Sequence, residues 1–498
     1  LRGFEMMVRE AQPWTIMSSY NKINGVYAPE SAELLTTVLR EDWGFEGYVM
    51  TDWGGGSDAA AMMQAGNDVL MPGTPMQVDA IVAAVESGRL GEATLDRNLT
   101  RVLKIMFKTP RYKNHAYRHH TDLKTHALVT RQAAADGMVL LKNEAHTLPL
   151  APEVKTVAAF GNTSYDFISG GTGSGDVNEA YTVALTEGLR NGGYTPDGEL
   201  MEIYTAYMKA AQEKKGPPKN WLAALLGGKQ PLEEMPLDPA LAAKMAEKSD
   251  IALVTIGRNA GEGQDRTATE GDFLLTPTEK TLIKNVSEAF RAKEKKTIVI
   301  LNIAGVIETA SWRDLPDAIL LAWQPGQEGG NSVVDLLSGK VNPSGKLAAT
   351  FPMNYSDTPT VRNFPGIPDP AVEQTDPSAD LSGFSMMSRT PWQITYEEDI
   401  YVGYRYYNTF GVPVAYEFGY GLSYTTFEIS DLQPNITEFT GEMTVTASVR
   451  NSGNTAGREV VQLYLSAPSG KMEKPEAVLV AFAKSKLLEP GESETLTF

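Results

Sequence analysis

Cysteine is absent from all 498 residues, which excludes a disulfide framework, a thiolate zinc site and a cysteine nucleophile. Histidine is scarce, at five residues. Four of the five, His115, His119, His120 and His126, fall in one polar stretch that promises no fixed ligand geometry. They read as solvated surface, and neither a metal nor a cofactor is expected. No run of 18 apolar residues occurs, so no membrane span is expected within this stretch. Positive charge is also short. Lys and Arg number 44 against 62 Asp and Glu, a net −18. A phosphate backbone would repel such a surface, which excludes nucleic acid as a partner and suits an uncharged small molecule.

What is present is an ordinary globular composition, 42% apolar and 21% charged, long enough for two to four domains with their own cores. Two acidic residues stand out: Asp52 in Tyr48-Val49-Met50-Thr51-Asp52-Trp53-Gly54, and Glu262 in Gly261-Glu262-Gly263-Gln264-Asp265-Arg266. Each ends a strand-like apolar run where glycine begins, the setting that presents a carboxylate at a cleft. A whole domain's worth of chain separates them. Two carboxylates from separate domains, meeting across one sugar at about 5–5.5 Å, would suit retaining glycoside hydrolysis.

The first hundred residues alternate strand and helix. Trp14–Tyr20, Gly47–Asp52 and Asp68–Pro72 read as strands, with helices over Pro29–Glu41, Ser57–Ala65, Gln77–Ser87 and Thr94–Lys108. Repeated βα units predict a parallel sheet with helical crossovers, and Tyr20 and Asp52 fall at carboxyl strand ends, where barrel sites are built. A closed (β/α)₈ barrel takes eight such units, so residues 1–108 are expected to be the C-terminal part of a TIM barrel. The opening Leu1-Arg2-Gly3-Phe4-Glu5 reads as a cut through a longer protein. Residues 109–126 read as a linker.

An α/β sandwich domain is expected over 127–410, with strands Gly137–Leu141, Val154–Phe160, Ile251–Ile256, Thr297–Ile303 and Ala318–Trp323. It includes a long surface loop at 354–394. From 414 to 498 the pattern alternates apolar and polar, with a turn at Asn451–Asn454; this predicts an immunoglobulin-like β-sandwich, cut short at its C-terminus. Ser169–Gly175 is glycine-rich and, read alone, resembles a phosphate-cradling loop, although the G-x-G-x-x-G spacing is missing.

These motifs together resemble glycoside hydrolase family 3, in its three-domain β-glucosidase form with a barrel, an α/β sandwich and a fibronectin type III-like domain. The resemblance runs through Ser19–Gly25, Val49–Trp53, Arg131–Ala134, Gly137–Asn143, Gly173–Gly175, Glu262–Arg266, Tyr401–Tyr407 and Phe418–Tyr424, and so covers essentially the whole chain. The family's upstream sugar-binding segments would lie before Leu1. The resemblance implies that Asp52 is the nucleophile. Glu262 becomes the general acid/base, protonated to release the leaving oxygen and ionised to activate water. It also implies substrate-binding roles for Tyr20, whose hydroxyl should steady Asp52, for Trp53 as a plate against a sugar ring, and for Ser174 as a sugar-hydroxyl contact. Asp265 and Arg266 are expected to pair and shape their loop, and Gly261 and Gly263 to admit substrate closely.

The implied activity is that of a retaining exo-β-glucosidase on cello-oligosaccharides and aryl glucosides, with β-xylosidase or dual β-glucosidase/β-xylosidase activity as the near alternative. From other classes, a nucleotide-binding protein and a non-catalytic carbohydrate-binding homologue are the competing readings. The expected partner is a small oligosaccharide or β-glucoside, with no nucleic acid and no membrane. Oligomeric state is open, a homodimer included. So is the compartment, with a periplasmic or secreted address favoured over a cytoplasmic one.

Overall fold

Two parallel strands, β1 (Thr15–Ser18) and β2 (Tyr48–Thr51), pair with Thr15 opposite Tyr48 and Ser18 opposite Thr51. The computed structural model describes residues 1–117, 120–216, 232–261, 265–368, 392–439 and 441–498. It divides into two compact units, Leu1–Thr121 with Pro368–Trp392, and Asp122–Ile367 with Gln393–Phe498.

In the first unit the expected third strand, Asp68–Pro72, shrinks to a single parallel bridge from Val69 to Met50. Side chains interrupt its ladder: the Val49 N–H donates to the Asp68 carboxylate and the Met71 N–H to the Thr51 hydroxyl. The helix expected from Pro29 breaks at Ser31, whose hydroxyl accepts the Leu34 N–H. A short turn, Ala28–Glu30, precedes it, and a wide helix, Glu33–Asp42, follows. At the end of that helix the Trp43 N–H reaches back five residues to Val38. Helices Arg2–Met6 and Met7–Ala11 open the unit, and Ala59–Ala65, Pro75–Glu86 and Glu92–Lys108 follow the wide helix. Asp58 caps Ala59–Ala65 by accepting from Ala60 and Ala61, and Thr74 with Gln77 forms a capping box on Pro75–Glu86. Val8, Leu35, Leu39, Phe45 and Val49 bury the inner faces of the wide helix and β2 against each other.

The second unit centres on a six-stranded sheet. Its strands are β3 (Val139–Asn143), β4 (Thr156–Phe160), β5 (Thr195–Pro196), β6 (Ile251–Arg258), β7 (Lys296–Ile303) and β8 (Ala318–Leu321). The spatial order is β3-β8-β7-β6-β4-β5, parallel except for β3. Every residue of β6 is buried, as expected of a strand covered on both faces. Alternate side chains feed two cores. Val254, Ile256, Val299 and Leu301 face one layer with Leu282, Val286 and Phe290, while Leu253, Ile298 and Ile300 face Leu185, Leu189 and Val333 on the other.

The expected linker ends inside a helix, Leu123–Gly137, because Asp122 accepts the Thr125 N–H and starts it early. That same helix takes Gly137, so β3 begins two residues later than expected. The edge strand β5 was not anticipated. Of the loop at 354–394, residues 369–391 lie outside the described residues; Tyr355–Asp357 and Pro359–Arg362 form single turns.

The C-terminal strands β9 (Phe427–Pro434), β10 (Val445–Asn451), β11 (Val460–Leu465), β12 (Val478–Lys484) and β13 (Ser493–Thr497) form two antiparallel sheets, β9-β10-β13 and β11-β12. Val449, Val461, Leu488 and Leu496 pack between them. Asn451 shapes the turn after β10, donating to Thr455 and Leu488 carbonyls and accepting from Thr425 and Gly453.

Candidate active site

Asp52 directly follows β2, and its N–H donates to the Ser18 carbonyl at 3.0 Å, extending the β1–β2 ladder. The chain then turns through Gly54, Gly55 and Gly56, with the Gly55 N–H returning to the Asp52 carbonyl. Two donors converge on Oδ1 of Asp52: the Tyr20 hydroxyl at 2.8 Å and the Trp53 main-chain N–H at 2.7 Å. Oδ2 has no hydrogen-bond partner among the described residues. The structure therefore brings Tyr20, Asp52 and Trp53 together. The Trp53 side chain is 55% exposed, so it is not a core tryptophan.

Carboxylates that the sequence did not single out hold this region in place. Oε1 of Glu30 accepts from the Ser57 N–H at 2.5 Å, the Ser57 hydroxyl at 2.9 Å and the Asp58 N–H at 2.9 Å, closing the glycine turn after Asp52. Asp68 is wholly enclosed. It bonds Arg40 at 2.7 Å and Arg101 at 3.2 Å, besides the Val49 N–H at 2.8 Å. Burial pushes the Asp68 carboxyl above its ordinary value despite these partners, and draws the Arg40 guanidinium down to about 10. The Ser18 hydroxyl donates to Asn67, whose amide donates to the Pro29 carbonyl. That chain of bonds ties the end of β1 to the loops on either side. Nothing short of tertiary structure signals these links, since their partners lie 19 to 49 positions apart.

In the second unit, Thr172 bridges Gly261 in parallel and its N–H donates to the Ala260 carbonyl. A Cβ on Gly261 would stand 2.2 Å from the Thr172 hydroxyl, so this glycine makes room for Thr172 rather than for substrate. Glu262 and Gly263 lie outside the described residues. Arg266 pairs with Asp272 at 2.5 Å, not with Asp265 as expected, and its carbonyl accepts the Tyr355 hydroxyl; the loop is shaped by a longer-range contact than neighbouring charges suggested. Ser174 sits exposed in the turn Gly173–Gly175. The next helix after this turn begins only at Leu185. A phosphate loop delivers its anion to a helix N-terminus directly behind the glycines, and this loop has none, which removes the main support for nucleotide binding. His119 lies outside the described residues, and among them no cluster of three or more acidic or histidine side chains could hold a metal.

Fold and site together define a multidomain α/β protein with a C-terminal β-sandwich and an aspartate presented at a parallel strand end. Family models agree along the chain. Residues 1–105 match the glycosyl hydrolase family 3 N-terminal domain, 138–424 its C-terminal domain, and 459–498 a fibronectin type III-like domain. The chain belongs to glycosyl hydrolase family 3. It is 34% identical to the Thermostable beta-glucosidase B of Acetivibrio thermocellus across 100% of this chain and 59% of that protein. It is 33% identical to an Exo-alpha-(1->6)-L-arabinopyranosidase of Bifidobacterium breve across 99% of this chain and 59% of that protein. Among solved structures it resembles beta-glucosidase 3B from Thermotoga neapolitana in complex with glucose, at 44% identity and a TM-score of 0.89, covering 100% of this chain and 67% of that one. The chain thus spans about three-fifths of the length of these curated relatives.

Proposed function

We propose that the protein carrying this chain is a retaining exo-β-glycosidase, in first place a β-glucosidase that removes non-reducing terminal glucose from cello-oligosaccharides and aryl glucosides. One observation carries the reading: among the described residues both donors to the Asp52 carboxylate fall on Oδ1, which leaves Oδ2 as the nucleophilic oxygen. In the first step Oδ2 bonds to the anomeric carbon as the glycosidic C–O bond breaks, and Glu262 gives its proton to the departing oxygen. In the second step water attacks that carbon, Glu262 takes a proton from the water, and Asp52 leaves as a carboxylate. Trp53 offers its exposed ring to the sugar in the acceptor position, and Ser174 its hydroxyl to a sugar hydroxyl. The relatives named beta-glucosidase support this choice of sugar.

A second specificity is favoured by the arabinopyranosidase relative, 33% identical across 99% of this chain. A panel of 4-nitrophenyl glycosides on the intact protein, with β-glucoside, β-xyloside and α-L-arabinopyranoside side by side, ranks these substrates. The mechanism itself is tested by trapping with 2-deoxy-2-fluoro-β-glucosyl fluoride. The adduct is expected on the peptide containing Asp52, and a label on any other acid overturns the assignment.

A further inference from the structure

Gly54, Gly55 and Gly56 follow Asp52 and Trp53 without interruption. Glycine gives up more conformational freedom on ordering than any other residue, so this stretch is the one least able to hold its own shape. It also begins at Trp53, whose N–H fixes Oδ1 of Asp52 at 2.7 Å. Its shape must therefore be imposed from outside. Inside the turn the Gly54 N–H donates to the Met71 carbonyl at 3.0 Å and the Gly55 N–H to the Asp52 carbonyl at 3.1 Å. Packing accounts for two of the glycines. A Cβ on Gly56, where φ is +79°, would stand 2.4 Å from the Met62 sulfur and 3.3 Å from Oε1 of Glu30, and one on Gly55 would stand 3.4 Å from the Pro29 ring. The turn lies directly on Pro29 and Glu30.

A closed ring of bonds runs through these residues and returns to its origin. The Asp52 N–H donates to the Ser18 carbonyl at 3.0 Å, and the Ser18 hydroxyl donates to Oδ1 of Asn67 at 2.8 Å. The Asn67 amide donates to the Pro29 carbonyl at 2.5 Å. Glu30, next in the chain, then accepts the Ser57 N–H at 2.5 Å, the Ser57 hydroxyl at 2.9 Å and the Asp58 N–H at 2.9 Å, all on Oε1. Ser57 leads back through the glycines to Asp52. Asn67 is wholly buried, so its loss would disturb the core. Glu30 is half-buried, and its bonds fall on the far side of the glycines from Asp52. Three donors on one oxygen suit a carboxylate, whose bonds to N–H and O–H groups are charge-assisted and about twice as strong as neutral ones.

We propose that Glu30 is a positioning residue for the nucleophile: by holding Ser57 and Asp58 it fixes the glycine turn, and through the turn the Trp53 N–H that orients the Asp52 carboxylate. This rests on the reading of Asp52 as the nucleophile. The test is inactivation of the intact protein by 2-deoxy-2-fluoro-β-glucosyl fluoride. Fluoride departs without help from an acid and is too small to need the Trp53 ring, so the rate constant at saturation, kinact, reads the nucleophile. Small misplacements of a reacting group cost up to about a hundredfold, so Glu30→Ala should lower kinact at least about tenfold and change the half-saturating concentration by less than about threefold. Glu30→Gln, which keeps an acceptor at the same place, should bring kinact back to within about threefold of the parent. Should Glu30→Ala not fold, Glu30→Met, of similar length and without an oxygen, carries the same expectation. A lowered melting temperature with kinact within about twofold of the parent would make Glu30 merely structural and overturn the proposal. Equal losses in Glu30→Gln and Glu30→Ala would overturn its role as an acceptor. The labelled peptide separates the two conclusions: a label on Asp52 with an unchanged rate in Glu30→Ala rejects Glu30 alone, whereas a label on another acid in the parent rejects the nucleophile and, with it, this role.

Discussion

Replacing Tyr20 by phenylalanine removes one oxygen from the first unit and, with it, one of the two donors on Oδ1 of Asp52. The lost bond is 2.8 Å long and runs to a carboxylate, a type worth about 1.5–3 kcal/mol. Tyr20 is 39% exposed, so water replaces part of it and the lower end applies, about 1.5–2 kcal/mol, or roughly ten- to thirtyfold in rate. The step that suffers follows from where charge develops. Asp52 loses its charge when the glycosyl-enzyme forms and regains it when water releases the sugar, so the donor favours the second step. With 2,4-dinitrophenyl β-glucoside, whose leaving group makes the first step fast, Tyr20→Phe should lower kcat ten- to thirtyfold. KM should fall alongside, and a burst of dinitrophenolate should appear in stopped flow. The melting temperature should shift by less than about 2 °C, since no buried group is left unpaired. A kcat within twofold of the parent, or a slow first step with no burst, would refute the role given to this hydroxyl.

The other expectations are shorter. Glu262→Ala should cut hydrolysis of cellobiose far more than that of dinitrophenyl glucoside, and added azide should yield β-glucosyl azide; equal losses with no azide product would point to another acid. Asp68→Asn leaves Arg40 and Arg101 without their buried counter-charge and should destabilise by about 3–5 kcal/mol in urea titration. Glu234 is half-buried, and desolvation raises its carboxyl to about 7 against the pull of the Asn162 and Met235 N–H groups. A raised value favours the protonated folded state. The stabilisation is therefore complete below about pH 4.5 and lost as pH rises through about 7, on the order of 3 kcal/mol. Glu234→Gln should flatten the melting temperature across that window, and an unchanged pH profile would show the group is not the source.

Much of the fold could be read in advance because burial on two faces leaves a direct mark. Ile251–Ile256 and Thr297–Ile303 are nearly unbroken apolar runs, and they form the central parallel strands β6 and β7. Where the marks are local they are reliable too: Asp58 before an alanine run and Gly66 after it bracket a seven-residue helix. What escaped notice lacks such a mark. Strand β5 is two residues long and one of them is proline. The partial third strand of the first unit depends on Asp68 and Thr51 side chains intercepting main-chain donors, and no propensity encodes that interception. Gly261 was read as an opening for substrate because a glycine records only that space is needed, not which neighbour needs it.

The acids of the first unit carry this one step further, because residue type alone cannot rank them. Asp52, Asp58 and Asp68 lie within one short stretch and are identical as letters. Asp58 uses Oδ1 to cap a helix through Ala60 and Ala61 and Oδ2 to bind Arg89. Asp68 engages Arg40 and the Val49 N–H with Oδ2, and Arg101 with Oδ1. Each of these has both oxygens committed, and a carboxylate so occupied would have to break bonds before it could attack anything. Among the described residues Asp52 alone of the three has donors on one oxygen only, and those donors come from the adjacent main chain and from a tyrosine at the end of the neighbouring strand. Holding one oxygen fixes the rotation of the carboxylate and so aims the other. On this argument a nucleophile is distinguished from a structural aspartate by an unequal distribution of donors between its two oxygens, and substitutions that add a donor to Oδ2 should silence it as surely as removing the side chain.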